Sequence, residues 1–213
     1  MKLQFMRMFG PVIAKVIIPD EIVKELNDAC DGIVKSKKKI KSSDVSDRLA
    51  GHVTHELRIP QSVISSQSNF WNSLLGQYIE SVENHVDLTM LRRRPDTSID
   101  LQGAWFNRYF AGDNNPAHTH PEATISMTGF LKVPNWDLEL SKIKKNKKYT
   151  PSPGNLEFVH GNIQEWSSYK FSVKPVVGDL YIFPSTLTHV VYPFKSSGER
   201  RSFAMNFGDN FWR

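Results

Sequence analysis

The spacing of hydrophobic residues changes part-way along this chain. Ile22, Val23, Leu26, Ala29, Ile33 and Val34 recur at helical spacing. Pro19-Asp20-Glu21 ahead of them supplies a helix start with acidic residues at its positive end. A second stripe, Phe70, Trp71, Leu74, Leu75, Tyr78, Ile79 and Val82, predicts a helix over residues 63–86. Residues 9–18 (FGPVIAKVII) read as a β-branched strand, and residues 41–56 as a polar stretch without a period. From Ile99 onward the pattern becomes short alternating runs cut by Gly, Pro and Asn. Strands are expected at residues 104–110, 123–133, 156–158, 168–173, 179–183, 189–192 and 201–207, with a turn at residues 112–116. Short strands without helices between them point to a sandwich or jelly roll, and the earlier helices need a sheet to cover. The expected fold class is therefore α+β and mainly β. It forms a single domain over residues 1–213, with supporting elements in 1–98 and a catalytic core in 99–213.

Composition narrows this picture only a little. The chain is 39% hydrophobic and 11% aromatic, as an ordinary globular protein is. No apolar run reaches bilayer length, and the first residues are interrupted by charge too early for a signal-peptide core. The one cysteine, Cys30, cannot form an intramolecular disulfide, so a reducing, cytoplasmic home is expected. It falls on the apolar side of the first helix, where an inert packed thiol is the natural reading. The net charge of +5 gathers in the runs 35–41 and 142–148, read as solvated loops. No aromatic residues alternate with those lysines, which argues against a nucleic-acid platform, and nothing calls for a membrane partner.

The candidate chemistry lies in the second half. In Asn115-Pro116-Ala117-His118-Thr119-His120-Pro121, an extended chain puts His118 and His120 on one face, able to reach one ion. Much later, Gly178 to Pro184 reads as turn, buried strand and stop, and His189 opens the next strand. A jelly roll can bring these strands together at its open end. Three imidazoles would leave up to three coordination positions free, as an oxygen-activating metal requires. On the last strand Arg200, Ser202, Ala204 and Asn206 share one face, and Arg201, Phe203, Met205 and Phe207 the other. An inward arginine with a serine two residues on suits a carboxylate. Only one of Arg200 and Arg201 can face inward.

In this order, His-x-His, a distant His and then Arg-x-Ser resemble the 2-oxoglutarate and iron(II) oxygenases. More narrowly, they resemble a branch of small members related to prolyl hydroxylases. That branch's motifs correspond here to Trp105 and Asn107, Asn115 to Pro121, Ser126 to Leu131, Gly178 to Pro184 and Gly198-Glu199-Arg200-Arg201-Ser202. The likeness spans roughly residues 100–208 and implies a double-stranded β-helix. It implies Fe(II) on His118, His120 and His189, and 2-oxoglutarate held by Arg200 and Ser202, with Asn107 alongside. Where most of that superfamily carries Asp or Glu, this chain has His120. Glu122 is the alternative donor, but His120 has the family's spacing from His118.

The resemblance further implies hydroxylation of an acceptor with O2 as oxidant and succinate and CO2 as co-products. The acceptor is expected to be a protein or peptide side chain. Two other readings compete. A plain cupin would use the histidines without 2-oxoglutarate, but gives the Arg200-x-Ser202 strand no task. A structural jelly roll would carry the histidines incidentally. Trp136, Trp166 and Tyr181 are candidates to line a pocket mouth, and residues 142–148 a candidate lid.

Overall fold

The computed structural model describes residues 10–48, 51–85, 99–136 and 153–208. Strand β1 (Ala14–Ile17) leads into helix α1 (Asp20–Val34), then α2 (Lys37–Ser43), a 3-10 turn, strand β2 (His55–Arg58), α3 (Gln61–Ser65) and α4 (Ser68–His85). The strands that follow are β3 (Asp100–Tyr109), β4 (Asn115–His118), β5 (Ile125–Lys132), β6 (Leu156–Val159) and β7 (Lys170–Val173). Last come β8 (Asp179–Pro184), β9 (Thr188–Val191) and β10 (Arg200–Gly208). They form a six-stranded sheet, β1-β8-β5-β10-β3-β2, and a four-stranded sheet, β4-β9-β6-β7, with antiparallel neighbours throughout. From β3 on, the chain crosses between the sheets, with β7 staying beside β6 in the smaller one. The result is a jelly roll, the expected double-stranded β-helix.

Helices cover the outer face of the large sheet. On α1 the buried side chains are Ile22, Val23, Leu26, Cys30 and Ile33, the stripe set by the 3.6-residue period. They join Trp71, Leu75 and Tyr78 of α4 and, from the sheet, Leu57, Phe106, Met127, Leu180, Ile182, Phe203 and Met205. Each such large side chain contributes about 1.5–3 kcal/mol on burial. Trp71 meets Phe203 edge-on at 5.9 Å, and a methyl group at Gly129 would sit 2.5 Å from the Phe203 ring. Burial pushes the Cys30 thiol up to about 11, as fits an inert, packed side chain.

A second core lies between the sheets. Phe130, Tyr181 and Phe183 face Leu156, Phe158, Val173 and Val191. Along β3 and β10, by contrast, the inward residues include Asn107, Arg200, Ser202 and Asn206, and there the sheets enclose a cavity instead.

Several local expectations change. The 35–41 run is mostly helix α2, because lysine is a good helix former and the Ser36 hydroxyl accepts from the Lys39 amide at 3.5 Å. The predicted 63–86 helix is two, α3 and α4, parted at Ser66 and Gln67, and Val86 lies outside the described residues. The polar 41–56 stretch contains the 3-10 turn (Ser46–Arg48) and opens β2, while the supposed 112–116 turn runs into β4. The first strand keeps only Ala14–Ile17 of residues 9–18. The 142–148 run lies outside the described residues. Among the described residues no helix is long and apolar enough to cross a membrane.

Candidate metal centre and co-substrate pocket

The cavity between the sheets has a volume of about 480 Å3, within the range of small-molecule sites. One wall is β3 and β10. In register, Arg200 pairs with Tyr109, Ser202 with Asn107 and Ala204 with Trp105, and all six line the cavity. The opposite wall carries His118 and His189, directly paired between β4 and β9. His120 follows just beyond β4, its amide donating to the Ser185 carbonyl at 2.8 Å.

The imidazoles of His118, His120 and His189 converge, with ligand atoms all within 4.8 Å of one another. His118 Nδ1 lies 2.7 Å from the Pro116 carbonyl and His189 Nδ1 2.9 Å from that of Leu187. A carbonyl only accepts, so each Nδ1 carries the proton and each Nε2 keeps its lone pair. Asn115 Nδ2, 3.4 Å from His118 Nε2, is a donor suited to that lone pair. Burial pushes His120 down to about 4 and His189 to about 3, and lowers His118 as well. All three are therefore neutral near pH 7, the form a metal needs. Glu122 lies at the cavity edge, exposed and outside this cluster.

At the other end sits Arg200, 1% exposed. Its Nε donates to the Gly154 carbonyl at 2.9 Å and Nη1 to Ser202 Oγ at 3.3 Å. The guanidinium lies 4.8 Å from the Tyr109 ring centroid and 5.1 Å from that of Phe130. Burial pulls its pKa down to about 10, and no carboxylate among the described residues pairs with it. Gly154 has φ +66°, and a side chain there would run into the Trp136 indole. Asn107, 8% exposed, has an Oδ1 without a hydrogen-bond partner among the described residues.

Arg201 points the other way, bonding to Asn27 Oδ1 at 3.0 Å, Asp31 Oδ1 at 2.7 Å and Glu199 Oε1 at 2.7 Å. The alternation of β10 thus resolves which arginine faces inward. Trp136 and Tyr181 are buried in the second core and Trp166 is fully exposed, so none of the three lines the cavity. Tyr109, Asn115 and Asn206 do line it. The period of two that put Ser202 inward also selects Asn206, and Tyr109 stands two residues from Asn107 on β3.

The family model described as "Putative 2OG-Fe(II) oxygenase" matches residues 103–206, a span that holds every residue just placed around the three imidazoles and Arg200. This stretch belongs to the 2OG-Fe(II) oxygenase family. The family uses Fe(II) and 2-oxoglutarate, and the three imidazoles of this chain are a donor set that could hold iron. No curated protein matches the chain. Solved structures share its fold. A Pseudomonas putida prolyl-4-hydroxylase has 16% identity, TM-score 0.55, and coverage of 93% of this chain and 92% of that one. A Trichoplax adhaerens prolyl hydroxylase, in complex with a hypoxia inducible factor oxygen degradation domain peptide fragment, has 12% identity, TM-score 0.57, and coverage of 92% and 83%. A viral collagen prolyl hydroxylase from Paramecium Bursaria Chlorella virus-1, in its 2OG complex, has 13% identity, TM-score 0.51, and coverage of 92% and 94%.

Proposed function

We propose that this oxygenase hydroxylates a protein or peptide side chain, holding Fe(II) on His118, His120 and His189 and 2-oxoglutarate on Arg200. The observation that carries the reading is Arg200: a buried cation, without a protein anion among the described residues, in the same cavity as three neutral imidazoles. A dicarboxylate spanning the two supplies the missing counter-charge. Arg200 and Ser202 bind its far carboxylate, and Asn107 Nδ2 donates to its nearer half. Bound iron with 2-oxoglutarate and O2 supplies the oxidising chemistry, with succinate and CO2 as co-products. The protein contributes position: Pro116 and Leu187 carbonyls fix the ring tautomers, and Phe183, Leu156 and Val191 keep that wall of the cavity apolar. A cupin-like use of the histidines leaves Arg200 without a role.

The peptide acceptor draws support from the peptide bound to the Trichoplax relative in its complex. The proposal treats residues 1–213 as one domain working in the cytoplasm. Anaerobic titration with Fe(II) and 2-oxoglutarate tests the central reading. A visible charge-transfer band that saturates near one equivalent of each is expected, and its absence in a folded, iron-loaded protein overturns it. His120→Ala should lose stoichiometric iron and Glu122→Ala retain it; the reverse would make Glu122 the ligand.

A further inference from the structure

Among the described residues the cavity holds a second charge-bearing group without a counter-ion, opposite in sign to Arg200. Glu56 lies on β2, the edge strand of the large sheet, and lines the cavity. It sits in register with Asn107, which pairs in turn with Ser202, so Glu56, Asn107 and Ser202 form one row across three strands. Arg200 and Tyr109 form the next row, about 7 Å along the strands. Among the described residues the Glu56 carboxyl makes no hydrogen bond or ion pair. The charges acting on it, Asp44 and Asp47, are also acids. Arg58, two residues on, is exposed and outside the cavity lining. Burial first, and those two acids after it, push the Glu56 carboxyl up to about 7, the mark of a carboxylate lacking its counter-ion.

Asn107 makes the same point independently. Its side chain is more than nine-tenths buried, lines the cavity, and has an Oδ1 unpartnered among the described residues. 2-Oxoglutarate offers only acceptors, so it can engage Nδ2 and leaves Oδ1 unsatisfied. Two adjacent acceptors thus lack donors, one of them able to carry negative charge. A group with several N–H donors and a positive charge, an amine or guanidinium, satisfies both. A neutral apolar acceptor would leave both unmatched, at a cost.

Resting on the reading above, we propose that Glu56, with Asn107 Oδ1 beside it, is the specificity determinant of this oxygenase, and that its acceptor carries a cationic nitrogen. On this view the two unpaired charges of the cavity divide the ligands between them. Arg200 takes the dicarboxylate, and Glu56 takes the basic side chain.

The test uses the full chain loaded with Fe(II) and 2-oxoglutarate under anaerobic conditions. Four blocked tripeptides, acetyl-Gly-Xaa-Gly-amide with lysine, arginine, norleucine or glutamate at the centre, are titrated against it. The change in the charge-transfer band reports binding, and succinate formed after admitting oxygen reports turnover. A lysine or arginine peptide should bind at least about tenfold tighter than the norleucine peptide, worth about 1.4 kcal/mol. Glu56→Gln should reduce that preference to about twofold while leaving the iron and 2-oxoglutarate end-points unchanged. If both cationic peptides fail to bind, or norleucine binds equally well, or the preference survives Glu56→Gln, the inference is overturned. Loss of the band before any peptide is added defeats the underlying reading instead, so the two failures are distinct.

Discussion

Arg200 and Arg201 are adjacent in the chain and equally buried, at 1% exposure each, yet they lie in opposite surroundings. Arg201, on the helix side of the large sheet, reaches Asp31 on α1 and Glu199, and Glu199 is shared with Arg108. Arg200, on the cavity side, has a carbonyl, a hydroxyl and two aromatic faces but no anion among the described residues. Burying a guanidinium is costly unless the charge is matched. On the helix side the match is internal, so the arginine locks α1 to the sheet. On the cavity side no anion is supplied among the described residues, and on the proposed reading the match is left to the dicarboxylate.

Three substitutions sharpen that contrast. The largest effect is expected for Arg200→Met, which keeps volume and removes charge. The apparent 2-oxoglutarate affinity should fall by roughly two to four orders of magnitude, about 3–5 kcal/mol, because a buried carboxylate loses its partner. Stability in urea, without ligand, should hold steady or rise, since the uncompensated charge is gone. A large loss of stability would instead make Arg200 a structural residue. Next comes Arg201→Ala, which should destabilise the fold by about 3 kcal/mol. That figure sits at the low end because Glu199 keeps Arg108 and Asp31 is partly exposed to screening solvent. Its 2-oxoglutarate titration should match the parent's, and a weakened end-point would break the division between the two faces. Smallest is Ser202→Ala, which removes one hydroxyl from the pocket. An affinity loss of up to about tenfold, roughly 0.5–1.5 kcal/mol, is expected from the same titration.

The same strand shows what the sequence makes legible. Alternation along residues 200–207 assigns Phe203, Met205 and Phe207 to one face and Ser202 to the other, and the structure follows it, because a strand under helices must hide its apolar set. His118, His120 and His189 are legible for a related reason: His118 ends β4 in register with His189 of β9, and His120 follows two residues on, just beyond the strand. Glu56 is not legible. In His55-Glu56-Leu57-Arg58 only Leu57 is apolar, so a short edge strand resembles a polar loop until its pairing with β3 is seen. β4 hides similarly behind Asn115 and Pro116, residues that usually signal a turn. The break between α3 and α4 carries no Gly or Pro; the polar Ser66-Gln67 pair marks it only after the fact.

Gly154 has a consequence that extends past its own turn. Its carbonyl holds Arg200 Nε, its left-handed backbone tolerates almost no other residue, and the Trp136 ring occupies the space of any side chain. What this position can carry is therefore set by groups distant in the sequence. A replacement would tilt the peptide plane and mis-aim the guanidinium, and a shift of about 1 Å is enough to matter for a positioned group. A side chain at Gly154 would thus press on the Trp136 indole of the second core and disturb the carbonyl that holds Arg200 in a single step.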